Sequence, residues 1–213
     1  MSYEVLESRK TYEGKIVTIT VDKLRMPDGS EAYRETVIRK KNAAGVLAVD
    51  TDGRLLFVRQ YRHPFREMLL EIPAGVIEEG ESGEAAVLRE LEEETGLHAQ
   101  NWKLLVDMDT TPGFCNEHIG IYLATGLSQH HMHTDEDEFL NVDRVPLSEA
   151  VRRVMAGEIH DSKTIAGLMM AWNLLGRQSD MPLDSLASIQ RGSTAFASIE
   201  GLVYGGFENG KTY

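Results

Sequence analysis

The first part of the chain alternates hydrophobic and polar residues, a pattern typical of β-strands with one buried face. The alternation is clearest in residues 15–25, and a Met-Pro-Asp-Gly turn signal separates it from a second candidate strand at residues 31–39. We therefore expect an N-terminal antiparallel β-sheet subdomain in residues 1–43. A hairpin layer of about 40 residues has little core of its own, so either the next domain or a second copy of the chain must cover it.

The middle of the chain continues with short apolar runs bounded by turn residues. Residues 43–49 and 55–61 flank an Asp-Thr-Asp-Gly turn, which predicts a β-hairpin. Residues 60–75 are expected to form a loop, because Pro73 and Gly75 keep its last part out of a helix. Further strand candidates lie at residues 104–109, 119–125 and 140–145.

Three segments show the helical spacing of apolar residues. With their expected N-caps and the glycines that end them, they are residues 82–95 (Ser82, Gly96), 148–156 (Ser148, Gly157) and 162–175 (Asp161, Gly176). Strands interleaved with few helices, without regular strand and helix alternation, favour an α+β domain over a doubly wound sheet. Residues 177–213 are rich in Ser and Gly and form a C-terminal extension to which we assign no role.

The composition argues against several classes of protein. The chain of 213 residues is 42% hydrophobic and 26% charged, which is ordinary for a soluble globular protein. Its net charge of −12 argues against a nucleic-acid partner, because phosphate backbones bind basic surfaces. Cys115 is the only cysteine, the N-terminus lacks the apolar core of a signal peptide, and the longest apolar stretch, residues 165–175, is about half of a membrane span. We expect a cytoplasmic protein that binds neither nucleic acid nor membrane.

The predicted helix at residues 82–95 carries a face of like charge. Glu90 and Glu94 lie four residues apart and Glu93 lies three from Glu90, so in a helix the three carboxylates share one face. Each such pair costs roughly a few tenths of a kcal/mol on an exposed helix, and only Arg89 lies nearby to pair. Most charge runs are solvated helix faces. Divalent cations explain this one better, since Mg²⁺ prefers carboxylate oxygens.

The spacing around these glutamates resembles the signature of the Nudix hydrolase family. Gly75, five residues, Glu81, seven residues, Arg89, Glu90, Leu91, one residue, Glu93, Glu94, one residue, Gly96 and Leu97 match every position of the Nudix box. The resemblance implies the Nudix fold, a mixed β-sheet sandwiched between helices, for residues 44–176. It also implies that the box forms a loop, a helix and a loop whose glutamates bind metal for hydrolysis of a nucleoside diphosphate linked to another moiety.

The same resemblance assigns roles within the box. Glu90 and Glu94 would be the primary metal ligands, and the backbone carbonyl of Ala74 would be a further one. Glu93 would be an adjacent ligand or would support one, and Arg89 would orient the glutamates by ion pairing, so both are catalytic candidates. The expected cofactor is Mg²⁺, with Mn²⁺ as the alternative.

A general base is missing from this set. The acidic run at residues 135–138 lies in a polar loop of the kind that closes over a substrate, although a solvated acidic loop explains its composition equally well. In ADP-ribose pyrophosphatases, a Nudix subfamily, the catalytic base sits on a loop at this point in the chain. The resemblance makes Glu136 the base and Glu138 a further metal ligand, and leaves open which of the two does which.

Features outside the box are similar to bacterial ADP-ribose pyrophosphatases. Pro112 lies fifteen residues beyond Leu97, and a proline at about that distance marks Nudix enzymes that act on ADP-ribose. The similar flanking stretches are RQYR at 59–62, EIPAG at 71–75, TPGFCNE at 111–117 and GEIHDSKTIAGL at 157–168. The resemblance therefore covers roughly residues 1–175 and implies hydrolysis of ADP-ribose to AMP and ribose 5-phosphate.

This subfamily resemblance also implies a homodimer in which the N-terminal sheet packs across the partner. Arg62 and Arg59 would contact phosphate by bidentate hydrogen bonds, and Glu71, Pro112 and Glu117 would lie at the substrate. A surface ion pair is the competing explanation for both arginines and for Glu117. Two other functions remain open: the same chemistry on another nucleoside diphosphate sugar such as GDP-mannose, and a non-catalytic Nudix domain that senses a nucleotide sugar.

Overall fold

The computed structural model describes residues 2–129 and 141–176, which form ten β-strands and three α-helices. The strands are β1 Glu4–Glu13, β2 Val17–Arg25, β3 Glu31–Arg39, β4 Ala43–Ala48, β5 Arg54–Arg62, β6 Glu67–Glu71, β7 Ala74–Val76, β8 Leu97–Asp109, β9 His118–Gln129 and β10 Asn141–Pro146. The helices are α1 Gly83–Thr95, α2 Leu147–Met155 and α3 Ser162–Gly176. The predicted C-terminal extension, residues 177–213, and the acidic run at residues 135–138 lie outside the described residues.

The expected antiparallel sheet is present at the N-terminus, where β1, β2 and β3 pair in that order. No residue of these three strands, all of which are described, is fully buried. The sheet joins the rest of the chain along β3: the N–H of Val37 donates to the carbonyl of Phe114 at 2.7 Å, and the N–H of Asn116 donates to the carbonyl of Val37 at 3.2 Å. The sheet is therefore anchored along one edge. Its boundary at residue 43 stays a prediction.

Two further sheets build the rest of the fold. One has the order β10-β5-β6 and is antiparallel, and the other has the order β7-β4-β9-β8 and is mixed, because β4 runs parallel to β9 and antiparallel to β7. Alternate residues of β4 enter two different cores. Val46 and Ala48 pack with Val87 and Leu91 of α1, whereas Leu47 packs in the core that includes α2 and α3. The mixed sheet thus lies between helices, as the resemblance implied.

The predicted hairpin between residues 43–49 and 55–61 is wrong in its strand pairing. β4 and β5 belong to different sheets and meet at an isolated bridge between Val49 and Leu55. The turn itself forms, since the N–H groups of Asp52 and Arg54 both donate to Oδ1 of Asp50 at 2.9 Å. Because β4 is buried over nearly its whole length, its backbone needs partners on both edges, and β7 and β9 supply them.

The segment predicted as a loop, residues 60–75, contains two strands. β6 pairs with the end of β5 and finishes at Glu71, and β7 pairs with β4 and begins at Ala74. Pro73, which has no N–H, lies between them, and its carbonyl accepts the N–H of Val46 at 2.8 Å. Ala74 is therefore held in a sheet and not in a free loop.

The ends of α1 are those that the sequence predicts. Oγ of Ser82 accepts the N–H of Ala85 at 3.2 Å, which caps the first turn. Gly96 has a φ of 70°, and its N–H donates to the carbonyl of Glu92 at 2.9 Å, which closes the last turn. Glu90, Glu93 and Glu94, which form the glutamate face, therefore lie on a helix of defined length.

The N-cap prediction is confirmed for α3 and wrong for α2. Asp161 accepts the N–H of Thr164 at 3.0 Å at the start of α3. Helix α2 begins one residue earlier than expected, at Leu147, so Pro146 takes the cap position and Ser148 lies inside the helix. Among the described helices, none is both long and apolar enough to cross a membrane.

Candidate active site

The glutamate face of α1 lies against β7. Glu94, in the last turn of α1, is buried with 1% of its surface exposed, and its Oε2 accepts the N–H of Ala74 at 3.1 Å. Glu90, one turn earlier, packs on Gly75, where an added Cβ would lie 1.9 Å from Oε1 of Glu90. Glu94 and Glu90 thus contact consecutive residues of β7. The glycine at position 75 leaves room for the Glu90 carboxylate, because a side chain there would occupy the same space.

Arg89 joins the glutamates of the box. Its Nη1 donates to Oε1 of Glu90 at 2.7 Å and to Oε2 of Glu93 at 2.8 Å, and its Nε donates to Oε1 of Glu81 at 3.0 Å. Its Nη2 donates to the carbonyl of Val76 at 3.0 Å. The hydrogen bond to Glu81 is the largest of the interactions that raise the pKa of Arg89, and Arg89 in turn lowers the pKa of Glu81. One permanent positive charge therefore contacts three carboxylates.

The donor chemistry of this face fits a hard divalent cation. Glu90, Glu93 and Glu94 offer carboxylate oxygens and Ala74 offers a backbone carbonyl, which are ligand types that Mg²⁺ and Mn²⁺ bind. Within residues 2–129 and 141–176, no three acidic, histidine or cysteine side chains have the arrangement of a metal site. Arg89 draws Glu90 and Glu93 toward itself, whereas Glu94 faces β7. A cation at this face must therefore compete with the guanidinium for these oxygens.

A second charged cluster joins β5, β6 and α3. Glu71 is buried, with 1% of its surface exposed, and accepts hydrogen bonds from Nε and Nη2 of Arg62 at 2.8 and 2.6 Å. Lys163 also donates to Glu71 and, at 3.0 Å, to Asp161. Burial raises the pKa of the Glu71 carboxyl, but Arg62 and Lys163 outweigh that effect and hold the pKa below its usual value. Glu71 is therefore a buried carboxylate that stays ionised.

The two clusters adjoin each other. The hydrogen bonds with Glu71 raise the pKa of Arg62 most strongly, and the charge of Glu94 raises it further, so Glu94 is close enough to act on Arg62. Between the clusters, the N–H of Ile72 donates to Oγ1 of the fully buried Thr164 at 2.9 Å. The chain from Glu71 to β7 is thus held by α3 at one end and by α1 at the other.

The loop between β8 and β9 carries Pro112 and forms one wall of a pocket of about 420 Å³ beside β3. The residues that line this pocket include Arg34, Thr36, Asp109, Pro112, Phe114 and Asn116. Glu117, at the end of the loop, is engaged within the protein. Its Oε1 lies 3.2 Å from Nε of Arg39, and its Oε2 accepts the hydroxyl of Thr110 at 2.8 Å. These contacts tie the loop to the N-terminal sheet.

The other predicted site residues are placed differently. Arg59 forms an ion pair with Asp143, with Nη2 of Arg59 at 2.8 Å from Oδ2, which is the surface pairing that competes with phosphate binding. Glu136 and Glu138 lie outside the described residues. Lys163 was not among the predicted residues, although it belongs to the stretch similar to ADP-ribose pyrophosphatases. Nothing in the local pattern indicates that it reaches a carboxylate 92 residues away.

The fold and the glutamate-rich box define a class of protein. The chain belongs to the Nudix family, whose model, described as NUDIX domain, matches residues 39–167. The ADP-ribose pyrophosphatase of Mycobacterium tuberculosis is 38% identical over 191 residues, which cover 86% of this chain and 90% of that protein. The ADP-ribose pyrophosphatase of Bacillus subtilis is 36% identical over 163 residues, which cover 76% of this chain and 88% of that protein. The resemblance seen in the sequence is confirmed.

Two other known proteins bear on substrate and fold. The GDP-mannose pyrophosphatase of Yersinia enterocolitica is 31% identical over 150 residues, which cover 66% of this chain and 78% of that protein. A crystal structure of an ADP compounds hydrolase superimposes with a TM-score of 0.78 at 21% identity and covers 85% of this chain and 98% of that chain. At that identity, the likeness shows the common fold alone.

Proposed function

We propose that this chain is a metal-dependent pyrophosphatase that hydrolyses ADP-ribose to AMP and ribose 5-phosphate. The observation that carries the proposal is the set of three Nudix-box glutamates on one face of α1, with Glu94 and Glu90 packed on β7 and Arg89 joining Glu90 to Glu93. Two relatives that are ADP-ribose pyrophosphatases, those of Mycobacterium tuberculosis and Bacillus subtilis, support the choice of substrate. A domain that only senses a nucleotide sugar does not need this concentration of like charge.

The metal ions proposed for this site are Mg²⁺, with Mn²⁺ as the alternative. Nudix ADP-ribose pyrophosphatases generally use a divalent metal. Glu90, Glu93, Glu94 and the carbonyl of Ala74 would hold it, and Arg89 would keep the carboxylates oriented. When bound, such ions neutralise charge on phosphate oxygens and lower the pKa of a bound water.

The remaining tasks fall to residues around the box. Arg62 donates two N–H groups to Glu71. Its remaining N–H groups would donate to a phosphate oxygen of the substrate. Pro112 would border the substrate from the pocket beside β3. Glu136 is the proposed general base and Glu138 a further metal ligand. For Arg59 and Glu117 we favour the ion pairs described above over substrate contacts.

Hydrolysis of another nucleoside diphosphate sugar is the second candidate function. The similarity to the GDP-mannose pyrophosphatase of Yersinia enterocolitica favours GDP-mannose as that substrate. The pyrophosphate chemistry is the same for both substrates, so the metal site does not distinguish them. Discrimination depends on a few hydrogen bonds to the base and the sugar, because a polar group left unpaired in the wrong complex costs affinity.

A panel of nucleotide sugars assayed with Mg²⁺, with Mn²⁺ and with EDTA tests this proposal. We expect kcat/KM for ADP-ribose to exceed that for GDP-mannose by at least about tenfold, with AMP and ribose 5-phosphate as the products on chromatography. EDTA should abolish turnover and added Mg²⁺ should restore it. A preference for GDP-mannose would establish the second candidate. Tight binding of a nucleotide sugar without turnover under any metal would support the sensor.

We also propose that the protein is a homodimer in which the N-terminal sheet covers a second copy. A three-stranded sheet without a buried residue gains little stability by itself. It also exposes large aromatic side chains, with Tyr12 55% and Tyr33 65% exposed, and Tyr3, directly before β1, is 63% exposed. Because such residues are stabilised when a partner removes them from water, a second copy explains both observations.

Light scattering coupled to gel filtration measures the oligomeric state. The wild-type protein should elute with about twice the 23.8 kDa mass of one chain. Replacing Tyr33 by Asp should shift it toward the mass of the monomer, because a charge would be buried without a partner. Phe65→Asp is the matched control, since Phe65 is equally exposed, at 67%, but lies outside the N-terminal sheet. A monomeric wild-type protein, or equal dissociation of both variants, contradicts the proposal.

A further inference from the structure

Lys163 forms a cluster of three charged residues with Arg62 and Glu71. It lies near the start of α3, with only 11% of its side chain exposed, and donates to the same oxygen, Oε2, that accepts Nη2 of Arg62. Its Nζ also donates to Oδ1 of Asp161 at 3.0 Å. The lysine therefore bridges the helix start and the buried carboxylate of β6.

The start of α3 is itself rigidly fixed. Asp161 accepts the N–H of Thr164 at 3.0 Å and its hydroxyl at 2.6 Å, so one carboxylate caps the helix and also pairs with Lys163. Oγ1 of Thr164 accepts the N–H of Ile72, the residue directly after Glu71. The carboxylate at the end of β6 and the backbone directly after it are thus positioned by three residues at the start of α3, namely Asp161, Lys163 and Thr164.

Glu71 in turn sets the direction of Arg62. Nε and Nη2 of Arg62 bind the two oxygens of Glu71, and this bidentate contact fixes the plane of the guanidinium. A guanidinium has five N–H donors, so the groups on its other edge are available to a ligand. The side chain of Arg62 is 36% exposed, and Glu94 lies close enough to act on its charge. In the proposed function, the N–H groups of this other edge bind a phosphate oxygen of the substrate.

We propose that Lys163 is a positioning residue for substrate binding: it holds Glu71 so that Arg62 presents the free edge of its guanidinium to the pyrophosphate. The proposal rests on the proposed function, in which Arg62 binds a phosphate oxygen. Lys163 does not touch the substrate in this role. It acts through one carboxylate oxygen, Oε2 of Glu71, which also accepts Nη2 of Arg62.

The geometry predicts which kinetic constant changes. Arg62 contacts a substrate phosphate in the ground state as well as during reaction, so misplacing it removes binding that both states share, and KM rises more than kcat falls. Lys163→Met should raise KM for ADP-ribose about tenfold and change kcat less than about threefold. Lys163→Arg keeps a cation within reach of Glu71 and should restore most of the affinity. A purely structural role would lower the melting temperature without this separation of constants.

A double-mutant cycle tests whether Lys163 acts through Arg62. Lys163→Met, Arg62→Met and the double variant are assayed with ADP-ribose and Mg²⁺, well below the melting temperature of each. We expect Lys163→Met to raise KM in the wild-type background and to change it less than about twofold when Arg62 is already Met. Lys41→Met is the matched control, because Lys41 also pairs with a glutamate but at the exposed surface, and its KM should match wild type. If Lys163→Met does not fold, Lys163→Gln replaces it in the same cycle.

Each outcome of the cycle has one meaning. An equal increase in KM in both backgrounds would show that Lys163 acts independently of Arg62, and an unchanged KM in the single variant would remove its role in binding; either result overturns the inference while hydrolysis by the wild type stands. A wild-type protein that turns over neither ADP-ribose nor GDP-mannose would instead overturn the proposed function on which the inference rests.

Discussion

Glu94→Gln is expected to lower kcat for ADP-ribose by about a thousandfold and to leave the fold intact. Glu94 is buried, and its Oε2 accepts the N–H of Ala74, a bond that the amide oxygen of glutamine can still accept. The substitution therefore keeps the shape and the backbone contact but removes the negative charge proposed to hold the metal. Steady-state kinetics at saturating Mg²⁺, together with thermal melting, separate the loss of activity from any loss of stability.

Glu92→Gln is the matched control for this variant. Glu92 lies on the same helix two residues earlier, but its side chain contacts His98 and lies outside the proposed metal face. Its turnover should stay within about twofold of wild type, because the net charge of α1 changes by the same amount without touching the site. A Glu94→Gln protein whose kcat stays within about tenfold of wild type would contradict the assignment of Glu94 as a metal ligand.

Gly75→Ala is expected to lower kcat/KM about a hundredfold while costing only about 1 kcal/mol in the free energy of unfolding. The new Cβ would lie 1.9 Å from Oε1 and 2.3 Å from Oε2 of Glu90, so the carboxylate must move. Because the displaced atoms are the flexible end of a side chain, the backbone of β7 can stay in place. Kinetics and urea unfolding report the two effects separately.

A second cycle shows whether Gly75→Ala acts through Glu90. In a Glu90→Ala background the carboxylate is already absent, so adding Gly75→Ala should lower kcat/KM by less than about twofold more. A further tenfold loss in that background would mean that the alanine disturbs β7 or Ala74 directly. Wild-type activity of the single variant would mean that the position of Glu90 does not matter for turnover.

Helix α1 is the element of this protein that the sequence predicts most completely. Ser82, Gly96 and the spacing of Glu90, Glu93 and Glu94 determine where α1 begins, where it ends and which residues share its acidic face. These properties depend on hydrogen bonds and contacts between residues at most a few positions apart. The same is true of the Nudix box, so the family followed from local spacing.

The strands were predicted less well, for a different reason. Residues 43–49 and 55–61 both have strand composition and flank a suitable turn, but a turn reverses the chain without deciding whether the next strand joins the same sheet. Because β4 is buried on both faces, its backbone needs hydrogen-bond partners along both edges, and β7 and β9 provide them. β5 belongs to the neighbouring sheet. Strand β7, only three residues long, carries too little alternation to be recognised.

The sequence by itself determined the family, the helix α1 with its capped ends, and the acidic face that indicates pyrophosphate hydrolysis. The tertiary structure decided how that face is supported: Ala74 lies in a sheet, Gly75 makes room for Glu90, and Lys163 shares Glu71 with Arg62 across 92 residues of chain. The physical reason is the sequence separation between the residues that interact. Helix caps and charge spacing are settled by neighbours in sequence, whereas strand pairing and buried ion pairs form between distant segments that only the packed core brings together.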